Sequence, residues 1–436
     1  MKRFTLESIF MTVALAGCIA LMSACDDSEA TASNTDDMAS SATPRNVIMM
    51  VPDGMGLSNV TAARIYKNGP NGDPLYFEQL PYIGYQRTHS RNSTVTDSAA
   101  AGSAWASGDK FNNGEISCID DNADGACDGT RKNHQTILEI ARDLGKATGL
   151  VANSDITHAT PAVWGAHVHN RKCESEIFAQ MLDLEVDVML GGGVATNRGP
   201  CMLPETDDAH NEALIASAVA DGYTYVTTRD ELTAAAGATR LLGLFNDGGL
   251  TPIVARPTPC GQPTLKEMTE AALDVLSEDP DGFFLMVEGS QIDWANHARN
   301  VMYQIEETLD FDDAVKVVMD WMAEDLDRQK NTMLIVVPDH ETGGVIIDGP
   351  YGRLSEAGDT GVQLYDLEGE PVYDMDGYPV MEPDLTVLFG SNPTEPTKSA
   401  NHTAVDTLIW SNSPACARAL DNTDLYDIMR NFMQAG

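Results

Sequence analysis

The chain has 436 residues, of which 43% are hydrophobic, so it can bury a sizeable core and disorder of the whole chain is excluded. Asp and Glu number 66 against 27 Lys and Arg, which gives a formal net charge of -39. A surface this negative repels nucleic acid and anionic lipid headgroups, and it also repels phosphate groups. Nucleic acid is therefore excluded as a partner, and a phosphate site would need local positive charge from metal ions or arginine.

Residues 1–25 are predicted to be an export signal of the lipoprotein type. Two basic residues precede an apolar run over residues 9–24, and the polar segment 26–45 follows at once. We favour Cys25 as the lipid-bearing residue, because cleavage there leaves it beside two aspartates. Cys18 has better flanking residues and stays an alternative, as does an ordinary cleaved signal peptide. The predicted location is periplasmic or at the cell surface, with the membrane contacted only through the lipid.

Residues 26–45 contain almost nothing to bury and are predicted to form a flexible polar tether. From residue 46 onward, apolar runs alternate with amphipathic segments. Continuous apolar runs are typical of strands that are buried on both faces of a parallel sheet. The predicted strands are 47–51, 148–152, 186–190, 223–227, 241–245, 283–287, 333–337 and 408–410. The predicted helices are 58–66, 98–107, 136–144, 173–184, 211–220, 265–276 and 304–323.

This alternation predicts the α/β class, as an α/β/α sandwich with a mostly parallel central sheet. One domain is expected over residues 46–436. Two segments interrupt the alternation, at about 112–133 and 346–396, and both are rich in turn residues. They are predicted to be insertions from the core, and the second is expected to form hairpins.

Six of the eight cysteines lie outside the signal, which in an oxidising compartment suggests three disulfides. Pairing neighbours gives Cys118–Cys127 and Cys173–Cys201, and leaves Cys260–Cys416 as a guess. Fifteen connectivities are compatible with six cysteines, so the spacing settles only the number.

Three predicted strands end in residues with carboxylate or imidazole side chains. These are Asp53 after 47–51, Glu288, Asp293 and His297 after 283–287, and Asp339 and His340 after 333–337. An aspartate after a strand is by itself most often a turn or cap residue. Ends of parallel strands share one edge of the sheet, however, so these side chains are expected to meet there. A spacing of four on a helical turn lets Asp293 and His297 chelate one ion, and oxygen and nitrogen ligands together suit zinc.

Ser98 precedes a run of small helix-forming residues. Most serines at such a position only cap the helix. The same position also offers free backbone N–H groups and the positive end of the helix dipole, which favour an alkoxide or a phosphate. No GxSxG motif surrounds Ser98, so activation of its hydroxyl by a metal ion is the better interpretation.

Six segments in this order resemble the full motif set of the alkaline phosphatases, from about residue 46 to the C-terminus. They are VPDGMG, VTDSAAAGSAWASG, THATPAVWGAHVHNRKC, VEGSQIDWANH, VPDHETGG and ANHTA. The resemblance implies hydrolysis of phosphate monoesters with two zinc ions and one magnesium ion, and a homodimer. It implies Ser98 as the nucleophile that becomes phosphoserine, and Arg171, braced by Asp97, as the clamp on the phosphate.

The resemblance also implies three ligand sets for the ions. Asp293, His297 and His402 would hold one zinc, Asp53, Asp339 and His340 the other zinc, and Asp53, Thr160 and Glu288 the magnesium. His158 and Trp294 stand where some bacterial members have aspartate and lysine, a pair that resembles marine and cold-active members. Both are expected to lie near the magnesium without contacting it, which puts in doubt how tightly the third ion is held.

The loop that begins at Asp120 matches part of a calcium-binding pattern. Asp120, Asn122, Asp124 and Asp128 fall at positions that donate oxygen, but Arg131 replaces the final glutamate. A calcium site and a plain acidic turn both remain open. A related phosphodiesterase or sulfatase is the nearest competing function, and a non-catalytic lipoprotein that binds metal or phosphate is another. Arg171 speaks against the diesterase, no C/S-x-P-x-R pattern surrounds Ser98, and no expected site residue is missing.

Overall fold

The computed structural model describes residues 45–121, 127, 135–193, 208–256, 261–348, 362–363, 381–382, 386–392 and 399–435. The predicted signal at residues 1–25 lies outside this part, as does the predicted tether apart from residue 45. Among the described residues, no helix is both long enough and apolar enough to cross a bilayer.

The architecture is a large central sheet with helices on both faces, as the alternation in the sequence predicts. The strands are β1 (Asn46–Val51), β2 (Tyr82–Arg87), β3 (Ala147–Asp155), β4 (Val188–Gly192), β5 (Thr224–Val226), β6 (Leu241–Leu244), β7 (Phe283–Glu288), β8 (Thr332–Val336), β9 (Glu341–Thr342), β10 (Val345–Asp348), β11 (Val362–Gln363), β12 (Met381–Glu382), β13 (Thr386–Phe389), β14 (His402–Thr403), β15 (Thr407–Ser411) and β16 (Ala419–Asp421). The helices are α1 (Leu57–Asn68), α2 (Ser98–Ser107), α3 (Ile137–Asp143), α4 (Ala159–Gly165), α5 (Glu174–Asp183), α6 (Asp208–Ala220), α7 (Arg229–Ala234), α8 (Leu265–Leu276), α9 (Gln291–His297), α10 (Val301–Ala323), α11 (Leu326–Asn331) and α12 (Asp424–Gln434).

Ten strands form the main sheet in the order β16-β2-β15-β8-β1-β7-β3-β4-β6-β5. All neighbours in this order are parallel except β15, which is antiparallel to both β2 and β8. The buried side chain of Asn46 holds three central strands in register at their starts. Its Nδ2 donates to Thr332 Oγ1 at 3.0 Å, and its Oδ1 accepts from the Phe283 amide at 3.1 Å. Since all neighbouring strands except β15 are parallel, the predicted mostly parallel sheet is confirmed.

The core consists of two apolar layers, one on each face of the sheet. Successive residues of β1 alternate between them, because side chains of a strand point to opposite faces: Val47 and Met49 pack with α2, α3, α4, α5 and α12, and Ile48 and Met50 with α1, α8 and α10. Every residue of β1 is buried. This explains why the central strands are continuous apolar runs rather than alternating ones.

Strands within the predicted hairpin segment pair antiparallel, β10 with β13 and β11 with β12. Most of the remainder of that segment lies outside the described residues, as do residues 122–126 and 128–133 of the acidic segment 112–133. The Cys118–Cys127 disulfide is present, and Cys173 is also disulfide-bonded, with a partner outside the described residues. Cys416 is a free thiol, so both the Cys260–Cys416 pair and the number of three disulfides are wrong. Its side chain is fully buried in the apolar layer that includes α12, where a thiol packs as a small hydrophobic group.

Candidate active site

The serine singled out in the sequence lies in the first turn of α2. Ser98 begins this helix and is almost fully buried. The Asp97 side chain caps the helix by accepting a hydrogen bond from the Ala100 amide at 3.0 Å. Ser98 Oγ lies 3.4 Å from His340 Nε2. The hydroxyl therefore stands at a helix N-terminus, where backbone N–H groups and the dipole stabilise an alkoxide or a phosphate.

Arg171 reaches the same place from the loop between α4 and α5. One terminal nitrogen donates to Asp97 Oδ2 at 3.0 Å, and the other lies 3.1 Å from His158 Nε2. Burial lowers the pKa of His158 to about 3, and the Arg171 charge adds to this effect, so the ring is neutral and Nε2 accepts a hydrogen bond from the guanidinium. Asp97 thus joins the helix of Ser98 to Arg171 through its two carboxylate oxygens.

Asp53, Asp339 and His340 come together at the ends of β1 and β8. His340 Nε2 lies 3.0 Å from Asp339 Oδ2 and 3.8 Å from Asp53 Oδ1, and all three side chains are fully buried. The backbone between β1 and α1 has to approach closely here. Gly54 has a positive φ of 71°, and a Cβ at this position would lie 2.7 Å from the Asp293 side chain. Only glycine fits this position.

Asp293, His297 and His402 form a second group beside the first. His297 Nε2 lies 3.3 Å from Asp293 Oδ2 and 3.1 Å from His402 Nε2, while His402 Nε2 lies 3.6 Å from Asp293 Oδ1. The Nδ1 atom of each histidine faces a backbone carbonyl, Ala400 O at 2.5 Å for His297 and Thr96 O at 2.9 Å for His402. A carbonyl only accepts, so Nδ1 carries the proton and Nε2 presents a lone pair to the site.

The two groups are contiguous, and His340 belongs geometrically to both. Its ring stacks on that of His402 with 3.6 Å between centroids, and ligand atoms of Asp293, His340 and His402 lie within 4.8 Å of one another. Thr342 was missed in the sequence. Its hydroxyl donates to Asp293 Oδ1 at 2.5 Å and lies 3.2 Å from His340 Nδ1, so it orients one member of each group. The spacing of two between His340 and Thr342 on an extended segment was the available signal.

Asp53, Thr160 and Glu288 lie together next to Asp339. Thr160 Oγ1, Glu288 Oε1 and both carboxylate oxygens of Asp53 are buried and accept or donate no hydrogen bond within the described part of the chain. The structure adds His158 to this group, because one of its ring nitrogens lies within 4.8 Å of oxygens of Asp53 and Glu288. His158 Nδ1 is also buried without a partner among the described residues. His158 thus lies near the set assigned to the third ion, and the expectation that it does not contact that ion stays a prediction.

Trp294 lies beside His158, with the two rings edge to face and 5.9 Å between their centroids. The indole also closes on the backbone at Gly249, where an added Cβ would lie 2.5 Å from the ring. Trp294 therefore covers the outer side of the His158 ring without offering a ligand atom of its own.

So many buried carboxylates cannot all carry charge without cations beside them. Burial raises the pKa of Asp53 well above its ordinary value, and the charges of Asp339, Asp293 and Glu288 raise it further. Burial likewise raises the pKa of Glu288 to about 7. Divalent cations remove this penalty by supplying positive charge and by occupying the unpartnered oxygens. The residues present therefore fit metal ions.

Asp120, the first residue of the acidic loop, is described, but Asn122, Asp124 and Asp128 lie outside the described residues. The neighbouring Asp121 pairs with Arg91 at 2.9 Å. The calcium prediction is thus untested.

The profile of the alkaline phosphatase family matches residues 44–434 of this chain. The chain belongs to that family. Alkaline phosphatase 3 of Bacillus subtilis is 38% identical over 325 residues, which cover 72% of this chain and 64% of that protein. The Escherichia coli alkaline phosphatase is 33% identical over 362 residues, covering 71% of this chain and 73% of the relative. The match thus spans less than two thirds of the Bacillus protein.

Solved alkaline phosphatases share the fold. The structure of the enzyme from the Antarctic bacterium TAB5 is 28% identical with a TM-score of 0.68, and the match covers 90% of this chain and 98% of that one. The Thermus thermophilus enzyme is 26% identical with a TM-score of 0.72, and covers 91% and 92%. A variant of the TAB5 enzyme, with a histidine replaced by aspartate, is described as having Mg bound in its M3 site.

Proposed function

We propose that the protein hydrolyses phosphate monoesters to an alcohol and inorganic phosphate, through a phosphoserine formed on Ser98. The observation that carries this proposal is the meeting of Ser98, Arg171 and the buried cluster of carboxylates and histidines at one edge of the sheet. Membership of the alkaline phosphatase family supports it.

We assign the ligands as the resemblance implies. Asp293, His297 and His402 would hold one zinc, Asp53, Asp339 and His340 the second zinc, and Asp53, Thr160 and Glu288 the magnesium. Sets that contain histidine suit zinc, and oxygen ligands suit magnesium. When bound, the ions lower the pKa of hydroxyl groups and neutralise charge on the entering and leaving oxygens.

The reaction then follows from where the side chains lie. Ser98 Oγ gives up its proton to water and attacks phosphorus, the bond to the alcohol oxygen breaks, and the leaving alkoxide takes up a proton from water to become the alcohol. The N–H groups at the start of α2 and the Arg171 guanidinium bind the phosphate oxygens throughout. Asp97 holds the guanidinium in place through the 3.0 Å contact. Water then attacks the phosphoserine, which frees inorganic phosphate and restores the Ser98 hydroxyl.

The experiment that tests the proposal compares two substrates on the purified protein. An aryl phosphate monoester is expected to be cleaved much faster than the matching diester, because Arg171 would bind two non-bridging phosphate oxygens and leave the third for the bound ions, whereas a diester has only two non-bridging oxygens and a second ester group to accommodate. A chelator added to parallel samples is expected to stop the monoester reaction. Faster cleavage of the diester would assign the protein to the competing phosphodiesterase function.

Replacing Arg171 by alanine is expected to weaken binding of inorganic phosphate by roughly 1.5–3 kcal/mol, the value of a lost charge-assisted hydrogen-bond pair. The phosphate inhibition constant of the holoenzyme measures this. Arg142→Ala is the matched control, because Arg142 forms only a half-exposed ion pair with Glu185 on the surface, and such pairs contribute little. An Arg171→Ala enzyme with the wild-type inhibition constant would remove Arg171 from the site.

The placement of His158 bears on the third ion. Its Nε2 accepts a hydrogen bond from Arg171, so the proton of the neutral ring is on Nδ1 and neither nitrogen offers a free lone pair to an ion. A neutral ring beside Asp53 and Glu288 adds no negative charge to attract a divalent cation. We therefore propose that magnesium is held more loosely here than it would be with a carboxylate in place of His158.

We propose further that the chain is exported and anchored by lipid on Cys25, in the periplasm or at the cell surface, on the basis of residues 1–45. Expressed in a bacterial host, the protein is expected to sediment with membranes, and Cys25→Ser to release it or to stall its processing. Cys18→Ser serves as the control, since it should change neither. An unmodified N-terminus downstream of residue 25, found by mass spectrometry, would instead establish plain secretion.

We also propose that the protein forms a homodimer. Ile83 and Tyr85 are exposed on one face of β2, and exposed apolar side chains of this kind are what such contacts bury. Calcium binding at residues 120–128 stays a second, independent proposal that rests on the spacing of its oxygen donors.

A further inference from the structure

The loop that carries Arg171, here the clamp loop (residues 166–173), has no helix or strand to hold it. It is fixed mainly against residues 114–118, which follow α2. The Arg171 amide donates to Gly114 O at 2.7 Å, and Val168 and Ile116 exchange two backbone hydrogen bonds of 3.0 Å. The position of the guanidinium therefore depends on how firmly the clamp loop is attached to this neighbouring segment.

His167 is the side chain that completes this attachment. Its Nδ1 lies 2.6 Å from Ser117 O, and its Nε2 lies 3.1 Å from Glu139 Oε1 on α3. The carbonyl only accepts hydrogen bonds. Glu139 is a carboxylate at neutral pH, and its other oxygen accepts from the Thr136 amide in the capping box that starts α3. Both ring nitrogens must then carry protons, so His167 is an imidazolium.

Electrostatics agree with this assignment. Burial by itself lowers the pKa of His167, but the hydrogen bonds to Glu139 and to Ser117 O outweigh it and raise the pKa above its ordinary value. Burial by itself raises the pKa of Glu139, but the contact with His167 and the hydrogen bonds from Thr136 outweigh burial and lower the pKa below its ordinary value. The ion pair is partly shielded from water, because only 32% of the His167 side chain is exposed.

The groups that His167 contacts are themselves fixed. Ser117 has a positive φ of 41°, which is uncommon for a residue other than glycine. Its amide donates to Ser103 Oγ on α2 at 2.8 Å, and its hydroxyl donates to Val163 O on α4 at 2.7 Å. The backbone of His167 is held in addition by Gln180 of α5, whose side chain bonds to both its amide and its carbonyl. The imidazolium thus connects the clamp loop to the helix that begins with Ser98.

We propose that His167, as an imidazolium bridging Glu139 and Ser117, is a positioning residue for Arg171 and sets the affinity of the site for phosphate. This inference rests on the proposed role of Arg171 in binding phosphate. His167 lies four residues from Arg171 and does not touch the site itself. Its effect passes through the clamp loop, so it depends on the guanidinium being present.

The test is a double-mutant cycle on the holoenzyme, read as the inhibition constant of inorganic phosphate and as KM and kcat for an aryl phosphate. His167→Ala is expected to raise the inhibition constant and KM by about tenfold while changing kcat less, because the clamp is displaced and not removed. In an Arg171→Ala background, the same substitution is expected to change neither constant by more than about twofold. Zinc content should match the wild type throughout.

His169→Ala is the matched control. It removes an imidazole from the same loop, and His169 makes no hydrogen bond or ion pair within the described chain, so wild-type constants are expected. Glu139→Gln supplies a second variant should His167→Ala fail to fold. It removes the charge that holds His167 but keeps the capping box, which accepts Gln as well as Glu, and is expected to weaken phosphate binding in the same direction.

The outcomes separate the two proposals. Wild-type protein that cleaves no monoester and binds no phosphate would overturn the proposed function. An active wild type in which neither His167→Ala nor Glu139→Gln changes phosphate binding would overturn the positioning role alone. An equal loss with and without Arg171 would also overturn it, since His167 would then be acting on general stability.

Discussion

Ser98→Ala is expected to lower the turnover number by about a thousandfold or more, because the substitution removes the oxygen on which the phosphoserine forms. Zinc content is expected to stay at the wild-type level, because Ser98 is not among the residues that we propose to hold the zinc ions. A small residual rate is expected, because Arg171 and the helix N-terminus still bind the phosphate and water can still attack it. Turnover and elemental analysis of the same preparation measure both expectations.

Ser107→Ala is the matched control for this variant. Ser107 is the last residue of the same helix, about 13 Å along its axis from Ser98 at ~1.5 Å per residue. Its hydroxyl only donates back to Ser103 O within the helix, so its loss is expected to leave turnover unchanged. Wild-type enzyme quenched in acid with labelled phosphate should carry the label on Ser98. A label on any other residue, or full turnover by Ser98→Ala, would remove Ser98 from the mechanism.

The sequence predicted the centre of the sheet better than its edge. All eight predicted strands belong to the ten-stranded sheet, because apolar side chains on both faces of a buried parallel strand leave a continuous run. β2 was missed because its pattern is reversed. Ile83 and Tyr85 are exposed, whereas Gly84 and Gln86 point inward. The buried Gln86 amide is satisfied by Pro338 O, Thr407 Oγ1 and the Trp105 indole, partners that only the fold brings together.

In the site, too, some contacts could be predicted from the sequence, whereas others depend on how distant segments fold together. Groups that follow strand ends could be predicted, because the edge of a parallel sheet brings them together whatever the loops do. The position of His158 beside Asp53 and Glu288 was predicted only through the family resemblance, since it depends on how α4 leaves β3. His167 was passed over for a related reason: its two partners lie 28 and 50 residues away on separate segments.

Chelation is expected to abolish turnover, and zinc with magnesium is expected to restore it further than zinc alone. The reason lies in the buried acids. Asp53 and Glu288 have carboxylate oxygens with no hydrogen-bond partner among the described residues, and they face further carboxylates. Without cations these groups must take up protons or repel one another, so the metal-free protein is also expected to melt at a lower temperature than the loaded one.

A pair of carboxylate variants makes this prediction specific. Asp339→Asn removes one charge from the buried group next to His340, and is expected to lower both zinc content and turnover. Asp327→Asn removes the same charge from α11, where the side chain is 86% exposed, and is expected to change neither. Magnesium added to the zinc-loaded wild type is expected to raise turnover, with a saturation midpoint that His158→Asp shifts to lower concentration, because a carboxylate then replaces the neutral ring beside Asp53 and Glu288. Full turnover in protein shown by elemental analysis to be free of metal would refute the assignment of these residues as ligands. An unshifted midpoint in His158→Asp would leave the two zinc sets standing and remove His158 from the third site.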